Sequence, residues 1–446
     1  MTRLFGTDGI RGVANVDLKP TLAYALGRAT ASRLLGGSGR LLVGQDTRRS
    51  GDMLVAGLVC GATSMGVDVH RLGVCPTPAL SFVTGDLGYG AGIMVSASHN
   101  PADDNGLKVL DGRGLKLDDQ SEEDLEALLW RADDLPSPTN SGIGRELDGR
   151  AGIDHYRQHR LGLARQSPAD LRVTLDCANG SGGGLAPEIL AETGVSVRVH
   201  FDSPDGSNIN LGCGATAPAA LARLTAQEGS DAGFALDGDA DRCVAVDERG
   251  SVVDGDQLLG IVALDRLTRG ALAESTLVVS VLSNGGLATV VERAGGQVLR
   301  TAVGDKYILD AMLVSGAGVG GEKSGHVIIR EHTSSGDGIV TALEVLSIMA
   351  RSGRRLSELA ADVPLFPQQQ RAIMVRHKDQ WEADRQLVAA VRAAEAELEG
   401  HGRVLVRPSG TEPVLRIMVE GEDPARVLAL ADSLSALAAE RLNQPS

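Results

Sequence analysis

Three stretches of this chain share one grammar, and that recurrence limits the fold more than any other feature. LLVGQDTRRSG (41–51), LRVTLDCANGSGGG (171–184) and STLVVSVLSNGGL (275–287) each run a short apolar segment into Asp or Asn, pass through small turn residues and open a helical pattern. Such runs suit strands buried on both faces, and their alternation with helical stretches implies crossover connections and mostly parallel sheets. Identity between the three is low, so the pattern repeats and the sequence does not. A spacing of roughly 100 to 130 residues fits whole domains, not a short-repeat solenoid.

Prolines and turn-forming residues mark the joints. LPSPTNSG (135–142) breaks the helical stretch that precedes it, VDGDQ (253–257) opens another unit, and VPLFPQQQ (363–370) interrupts the pattern a third time. The last portion differs: a helix is predicted over 382–398, then two alternating strands around a Pro/Gly turn (404–420). Asp423 before Pro424 reads as the N-cap and first turn of a final helix. The expected fold class is α/β: three similar α/β domains with mixed, mostly parallel sheets (1–140, 151–254, 255–366) plus a smaller α+β C-terminal domain (370–443).

The 446 residues hold 58 Asp+Glu against 43 Lys+Arg, a net charge of −15, with no Lys/Arg-rich block. That excludes a nucleic-acid binder relying on phosphate neutralisation, so an anionic ligand must meet a local cationic pocket. The five cysteines form no CxxC pair, and a chain this long needs no disulfides; they read as reduced thiols. No apolar run approaches the ~20 residues that cross a bilayer, and the first residues carry no secretory pattern. The expectation is a cytoplasmic protein with no membrane partner.

Four segments carry candidate chemistry. LDGDADR (236–242) puts Asp237, Asp239 and Asp241 at alternate positions after an apolar strand. Three carboxylates that close repel unless a cation lies among them, and oxygen-only ligands favour a hard ion such as Mg²⁺; a solvated Asx-rich turn is the plain alternative. An EF-hand fails, because Arg242 stands where that loop needs Gly and CVAV follows. Arg242 is better employed beside a metal-bound phosphate.

IMVSASHNPADDNGLKVL (93–110) runs a strand into Ser96, Ser98, His99 and Asn100 before Pro101. Pro101 biases Asn100 toward extended backbone, so the loop can present a hydroxyl, or hold an ordinary surface serine. Neighbouring side chains of an extended segment point apart and no GxSxG elbow is present, which weighs against a Ser–His hydrolase. RPSGTEP (407–413) lies between two strands and offers backbone N–H groups, the hydroxyls of Ser409 and Thr411, and Arg407, with Arg416 on the next strand. That set suits a phosphate; an ordinary hairpin loop is the alternative. GVGGEKSGHVI (318–328) contains a nominal GxGxxG in the wrong strand–helix order for a dinucleotide site. Glu322, Ser324 and His326 alternate into a strand, so they are expected to face one way toward a polar ligand unless the segment is a solvated loop.

In this order and at these separations, the four segments resemble the α-D-phosphohexomutase superfamily over nearly the whole chain, and FGTDGIRG (5–12) narrows the resemblance to its phosphoglucosamine mutase branch. The resemblance implies four domains around a central cleft, Ser98 as a phosphoserine, and Asp237, Asp239 and Asp241 with a phosphoryl oxygen on Ser98 as Mg²⁺ ligands. Glu322 and Ser324 would bind sugar hydroxyls. Arg407, Ser409, Gly410 and Thr411 would hold the phosphate that is not reacting, with Arg11 and Lys108 close to the one that is. The implied enzyme is an isomerase that interconverts glucosamine 6-phosphate and glucosamine 1-phosphate through a glucosamine 1,6-bisphosphate, on the route to UDP-N-acetylglucosamine and cell wall. A homodimer is compatible with it.

Phosphoryl transfer asks mainly for positioning and charge neutralisation, which these residues supply. The general base is open between Lys108 and His326; a lysine among cations can have a depressed pKa, but the sequence does not show that Lys108 does. Lys323 stands where the glucosamine branch usually has Gln, which keeps a phosphomannomutase/phosphoglucomutase as the alternative. A Mg²⁺-dependent sugar-phosphate phosphatase and a non-catalytic sugar-phosphate sensor are the readings from other classes.

Overall fold

The computed structural model describes residues 4–6, 8–165, 170–398, 400, 402–409 and 413–443. Its described residues form four sheets, each confined to one stretch of chain. The apolar runs read from the sequence are central strands: Arg40–Gln45, Arg172–Asp176 and Thr276–Ser280 are buried along nearly their whole length. Side chains of a strand buried on both faces need no polar alternation, which is why these runs read as continuous Leu, Val and Ile.

The first sheet has six strands in the order Ile10–Val13, Asp104–Asp111, Ala91–Val95, Arg40–Gln45, Asp68–Val74 and Glu146–Asp148. The last four are mutually parallel and the first two are antiparallel to their neighbours. The second runs Val252–Val253, Cys243–Asp247, Ala232–Leu236, Arg172–Asp176, Ser196–His200, with the last three parallel. The third runs Gln297–Thr301, Thr276–Ser280, Val319–Gly321, Val327–Ile329, with the first three parallel. Each is thus a parallel core closed on one side by an antiparallel hairpin. The fourth, Gln368–Met374, Val414–Gly421, Gly402–Pro408, is wholly antiparallel.

This topology positions the site. The Ser98 loop, the Asp237–Arg242 loop and the Glu322–His326 loop are the hairpin turns of the first three sheets, in equivalent places, and in the fourth Arg407 and Pro408 end strand Gly402–Pro408, which pairs with strand Val414–Gly421.

The chain divides into two compact units, 1–282 with 294–362, and 283–293 with 363–446. In the first, helices Pro20–Arg33 and Gly51–Thr63 lie against each other over a core that includes Leu26, Leu54, Leu58 and Ile93. Their approach is close enough that a Cβ at Gly57 would stand 2.7 Å from the Pro20 carbonyl oxygen. In the second, helices Arg385–Glu397 and Pro424–Arg441 pack on Leu415, Ile417 and Val419. Asp423 caps the final helix, accepting from the N–H of Ala425 (2.9 Å) and Arg426 (3.3 Å). All five cysteines are free thiols. Among the described residues, no helix is long and apolar enough to cross a membrane.

Candidate active site

Ser98 and the aspartates meet although 139 positions separate Ser98 from Asp237: Ser98 Oγ donates to Asp237 Oδ2 at 2.6 Å, and both residues are fully buried. One carboxylate oxygen from each of Asp237, Asp239 and Asp241 lies within 4.8 Å of the others. Asp239 Oδ1 and Asp241 Oδ1 are buried and have no hydrogen-bond partner among the described residues. A buried carboxylate oxygen left bare is costly, and three oxygen donors converging around bare lone pairs are the donor set of a hard divalent cation. The residues therefore fit Mg²⁺. Burial, with the neighbouring charges of Asp241 and Asp239, raises the pKa of Asp237 well above the usual carboxylate range. Burial also pushes Asp241 upward, but Lys108, His326 and Arg242 more than reverse it and hold it low.

The surrounding cations are arranged in a ring. Lys108 Nζ is 2.7 Å from Asp239 Oδ2, 3.7 Å from Asp241 Oδ2 and 3.5 Å from Asp8 Oδ2. Asp8 also pairs with Arg11 and Lys116, Lys116 lies 2.7 Å from Asp305 Oδ2, Asp305 lies 3.5 Å from His326 Nε2, and His326 Nδ1 returns to Asp241 Oδ2 at 3.6 Å. Around the circuit Lys108, Asp8, Lys116, Asp305, His326 and Asp241, acids and bases alternate. A cavity of about 310 Å³ opens beside it, bordered by Lys108, Lys116, Asp241, Asp305 and His326.

The sequence left the protonation of Lys108 open, and its surroundings decide it. Burial lowers the Lys108 pKa, but Asp239, Asp8 and Asp241 outweigh it and raise the pKa above its ordinary value, because the neighbours of this lysine are carboxylates rather than cations. His326 is likewise pulled down by burial and carried above its ordinary value by Asp241 and Asp305. Its Nε2 accepts the Gly336 N–H at 2.9 Å, so the ring proton belongs on Nδ1, facing Asp241.

Two local expectations are corrected. Ser98 is not extended: its φ is +53°, which swings its Oγ to 3.4 Å from His99 Nδ1, where extended backbone would have parted the two side chains. Burial and the charges of Arg242 and Arg11 push the His99 pKa down to about 4, and the Ser98 hydroxyl proton goes to Asp237. Nor do Glu322, Ser324 and His326 alternate along a strand. Gly325 at φ +91° turns the chain between them and donates its N–H to the Glu322 carbonyl at 3.0 Å, and the strand begins only at Val327.

Arg11 Nη1 donates to Asn100 Oδ1 at 3.1 Å, and its Nε is buried without a hydrogen-bond partner among the described residues. Arg242 Nε is buried 3.7 Å from Asp241 Oδ1, with no hydrogen-bond partner among the described residues. Glu322 Oε1 accepts the Gly304 N–H at 3.1 Å, and Ser324 Oγ is buried without a partner among the described residues. Lys323 Nζ lies 3.9 Å from Asp254 Oδ2, the N-cap of helix Gly255–Thr268. In the second unit Arg407 and Arg416 face each other across the hairpin register. Burial and the charge of Arg416 lower the Arg407 pKa. Like charges opposed on a ribbon are unfavourable and suit an anion between them. Ser409 is buried, its N–H donating to the Val414 carbonyl at 2.8 Å and its carbonyl accepting from Lys378; Gly410 and Thr411 lie outside the described residues.

Asp8, Thr77, Lys116 and Asp305 are parts of this site that motif reading missed. Thr77 donates to Asp239 twice, through Oγ1 to Oδ2 at 2.5 Å and through its N–H to the carbonyl at 2.9 Å. For Asp8, the FGTDGIRG segment was the available signal; CPTPAL around Thr77 carried none.

The phosphoglucomutase/phosphomannomutase family matches in all four of its parts: α/β/α domain I over 2–135, domain II over 153–250, domain III over 254–366 and the C-terminal domain over 371–437. Phosphoglucosamine mutase of Symbiobacterium thermophilum is 49% identical over 98% of this chain and 98% of its own. A phosphoglucomutase/phosphomannomutase family protein of Burkholderia thailandensis superposes with a TM-score of 0.84 at 26% identity, covering 100% of this chain and 99% of that one. N-acetylphosphoglucosamine mutase of Aspergillus fumigatus, solved with GlcNAc-6P and magnesium, shares the fold at 20% identity and a TM-score of 0.68, covering 99% and 96%. With its four domains matched in order and a relative so similar along its whole length, the chain belongs to the α-D-phosphohexomutases, a family of isomerases, in their phosphoglucosamine mutase branch.

Proposed function

We propose that the chain interconverts glucosamine 6-phosphate and glucosamine 1-phosphate by passing a phosphoryl group through Ser98. The observation that carries this reading is the 2.6 Å hydrogen bond between Ser98 Oγ and Asp237 Oδ2 inside a cluster of three buried carboxylates. A serine hydroxyl so placed is held on the edge of the acidic cluster, where a phosphate ester on it would share that cluster's cation.

Phosphorylated Ser98 gives its group to O1 of glucosamine 6-phosphate: the O1–P bond forms, the Oγ–P bond breaks, and the sugar hydroxyl proton ends on Ser98 Oγ. The resulting 1,6-bisphosphate presents its 6-phosphate to Ser98, the Oγ–P bond re-forms as the O6–P bond breaks, O6 takes the proton from Ser98 Oγ, and glucosamine 1-phosphate leaves. Asp237, Asp239 and Asp241 would hold Mg²⁺, the ion named in the fungal relative's complex; bound there it supplies charge neutralisation for the transferring oxygens. Lys108, kept protonated by its three carboxylate neighbours, Arg11 and Arg242 add positive charge at the reacting phosphate. Glu322 and Ser324 take sugar hydroxyls, and the unpartnered Ser324 Oγ has a free lone pair for one. Arg407, Ser409, Gly410, Thr411 and Arg416 take the distal phosphate, 6- or 1- in turn. His326 keeps its Nδ1 proton toward Asp241 and orients that carboxylate.

Lys323 does not oppose a glucosamine substrate, since its ammonium lies near Asp254. The test is peptide mass spectrometry of the purified protein with a three-substrate assay. An added ~80 Da on Ser98 (a phosphate) and preference for glucosamine over mannose and glucose phosphates are expected. Preference for mannose 1-phosphate overturns the substrate, and net release of inorganic phosphate without Ser98 modification overturns the reaction.

A further inference from the structure

The backbone of Ser98 is left-handed at φ +53°, a conformation that a residue with a Cβ keeps only where its surroundings over-determine it. Two side chains from different sheets do so by gripping the same pair of carbonyl oxygens. Arg48, fully buried in the turn after strand Arg40–Gln45, donates through Nη2 to the Ser98 carbonyl at 3.0 Å and the Asn100 carbonyl at 2.8 Å. Asn210, in the loop between strand Ser196–His200 and helix Ala219–Glu228, donates through Nδ2 to those same carbonyls at 2.9 and 3.1 Å. The remaining guanidinium hydrogens of Arg48 reach Asp46 Oδ2 (2.8 Å) and the carbonyls of Pro101 and Asp104.

The hold on Ser98 closes on itself. Asp46 Oδ2 also accepts the Ser96 hydroxyl at 2.7 Å, and Ser96 Oγ accepts the Ser98 N–H at 2.9 Å. Both peptide groups of Ser98 are thereby tied to one Asp46–Arg48 pair. Asn210 completes the grip from the second sheet's domain, which also carries Asp237. The loop of Asp237 presses on the same spot: a Cβ at Gly238 would stand 2.6 Å from the Ser98 carbonyl oxygen. Neither Arg48 nor Asn210 has a hydrogen bond to the Ser98 hydroxyl.

We propose that Arg48 and Asn210 are positioning residues for phosphoryl transfer, a joint clamp that fixes the Ser98 backbone and makes its alignment with Asp237 depend on the second domain's loop. This rests on the reading of Ser98 as the phosphoryl carrier. A misplacement of about 1 Å costs on the order of 10²-fold in rate, and the clamp acts on position, not on sugar binding.

The experiment measures kcat and KM for the sugar phosphate in Asn210→Ala, the isosteric Asn210→Asp, Arg48→Lys and Ser98→Ala, with intact-mass time courses of Ser98 phosphorylation by glucose 1,6-bisphosphate. Circular dichroism checks folding, and if Arg48→Lys fails to fold the two Asn210 variants decide. The expected result is kcat lowered by about 10- to 100-fold in Asn210→Ala, at least as much in Asn210→Asp, whose carboxylate faces two carbonyls, with KM within about twofold and slowed phosphorylation. Wild-type kcat in both Asn210 variants, or a loss carried by KM alone, with Ser98→Ala inactive, overturns the clamp and leaves the reading of Ser98 standing. Full turnover in Ser98→Ala overturns both.

Discussion

Lys116 Nζ lies 2.7 Å from Asp305 Oδ2, and this contact closes the ring of alternating charge beside the acidic cluster. Lys116 and Asp305 belong to different sheets' stretches of chain, so the pair binds the first domain to the third as well as holding His326 and Lys108 in register. The side chains of Lys116, Asp8 and Asp305 are 15–22% exposed, so removing the cation leaves two carboxylates largely without water. Lys116→Met is expected to lower stability by about 2 to 3 kcal/mol, below the 3–5 of a fully buried broken pair, and to lower kcat about tenfold through the loosened Lys108. Urea denaturation and steady-state kinetics test both, and an unchanged midpoint with unchanged kcat would remove the ring from any role.

A second buried charge network adjoins the acidic loop, since Gly336 donates to His326 Nε2 at 2.9 Å and Gly338 to the Ala240 carbonyl at 3.0 Å. Asp337 caps helix Gly338–Ser352 through the N–H groups of Ile339 and Val340 (both 3.0 Å), and takes Arg160 Nη2 at 2.9 Å and the Tyr156 hydroxyl at 2.8 Å. Asp337, Arg160 and Tyr156 are all fully buried. Asp337→Ala leaves a guanidinium uncompensated and a helix uncapped, so about 3–5 kcal/mol is expected to be lost. Arg160→Met with Asp337→Asn should recover much of it, since two neutral groups no longer strand a charge. A double-mutant cycle by chemical denaturation measures this, and additivity of the two changes would contradict it.

Much of this was legible in the chain, for a physical reason. Ser98 and Asp237 lie in hairpin turns of sheets whose parallel core announces itself as a buried apolar run, and Arg407 lies near the end of an antiparallel strand of alternating pattern, so all three could be assigned to strand ends from the local pattern. What could not be read is whatever depends on two such ends meeting. Thr77, Lys116 and Asp305 bear no motif of their own, and Asp8, though it lies in FGTDGIRG, takes its role with them only through Lys108, Asp239, His326 and each other. The protonation of Lys108 could not be read for the same reason, since its carboxylate neighbours come from elsewhere in the chain. The alternation expected at Glu322–His326 failed because one glycine, Gly325, adopts a positive φ that a period-two pattern cannot represent.

Asp176, at the end of the second sheet's central strand, accepts the N–H groups of Ala178 and Gly214 (both 2.8 Å) in a fully buried place. Burial pushes its carboxyl up to about 6 from an ordinary value of 3.8, the two backbone hydrogen bonds offsetting only part of it. The folded state therefore holds this proton more tightly than the unfolded state. The contribution is fully present below pH 4 and is lost as pH rises through about 6. At ~1.4 kcal/mol per unit, up to about 3 kcal/mol is at stake. Relative to Asp176→Asn, which cannot titrate, the wild type should lose stability between pH 4 and 7, and parallel stability curves across that range would contradict the assignment.

Cation binding at the acidic cluster can be separated from turnover by its effect on folding. The fold holds one carboxylate oxygen from each of Asp237, Asp239 and Asp241 within 4.8 Å of the others in a buried place, so an ion binds this preset cluster in the native state more tightly than the three solvated aspartates of the unfolded chain. Such linkage adds about 2.7 kcal/mol at a hundredfold excess over the dissociation constant. Millimolar Mg²⁺ should raise the thermal midpoint of the wild type, and chelation should return it. Asp239→Ala should abolish the response, because it removes one bare oxygen, and should also release Lys108 and Thr77 from their shared partner. The two effects part in calorimetry: loss of the Mg²⁺ response is specific to the cluster, whereas the Lys108 and Thr77 contacts alter the metal-free midpoint. A wild type whose midpoint ignores Mg²⁺ across a wide concentration range would mean that these three carboxylates, however closely set, do not bind it.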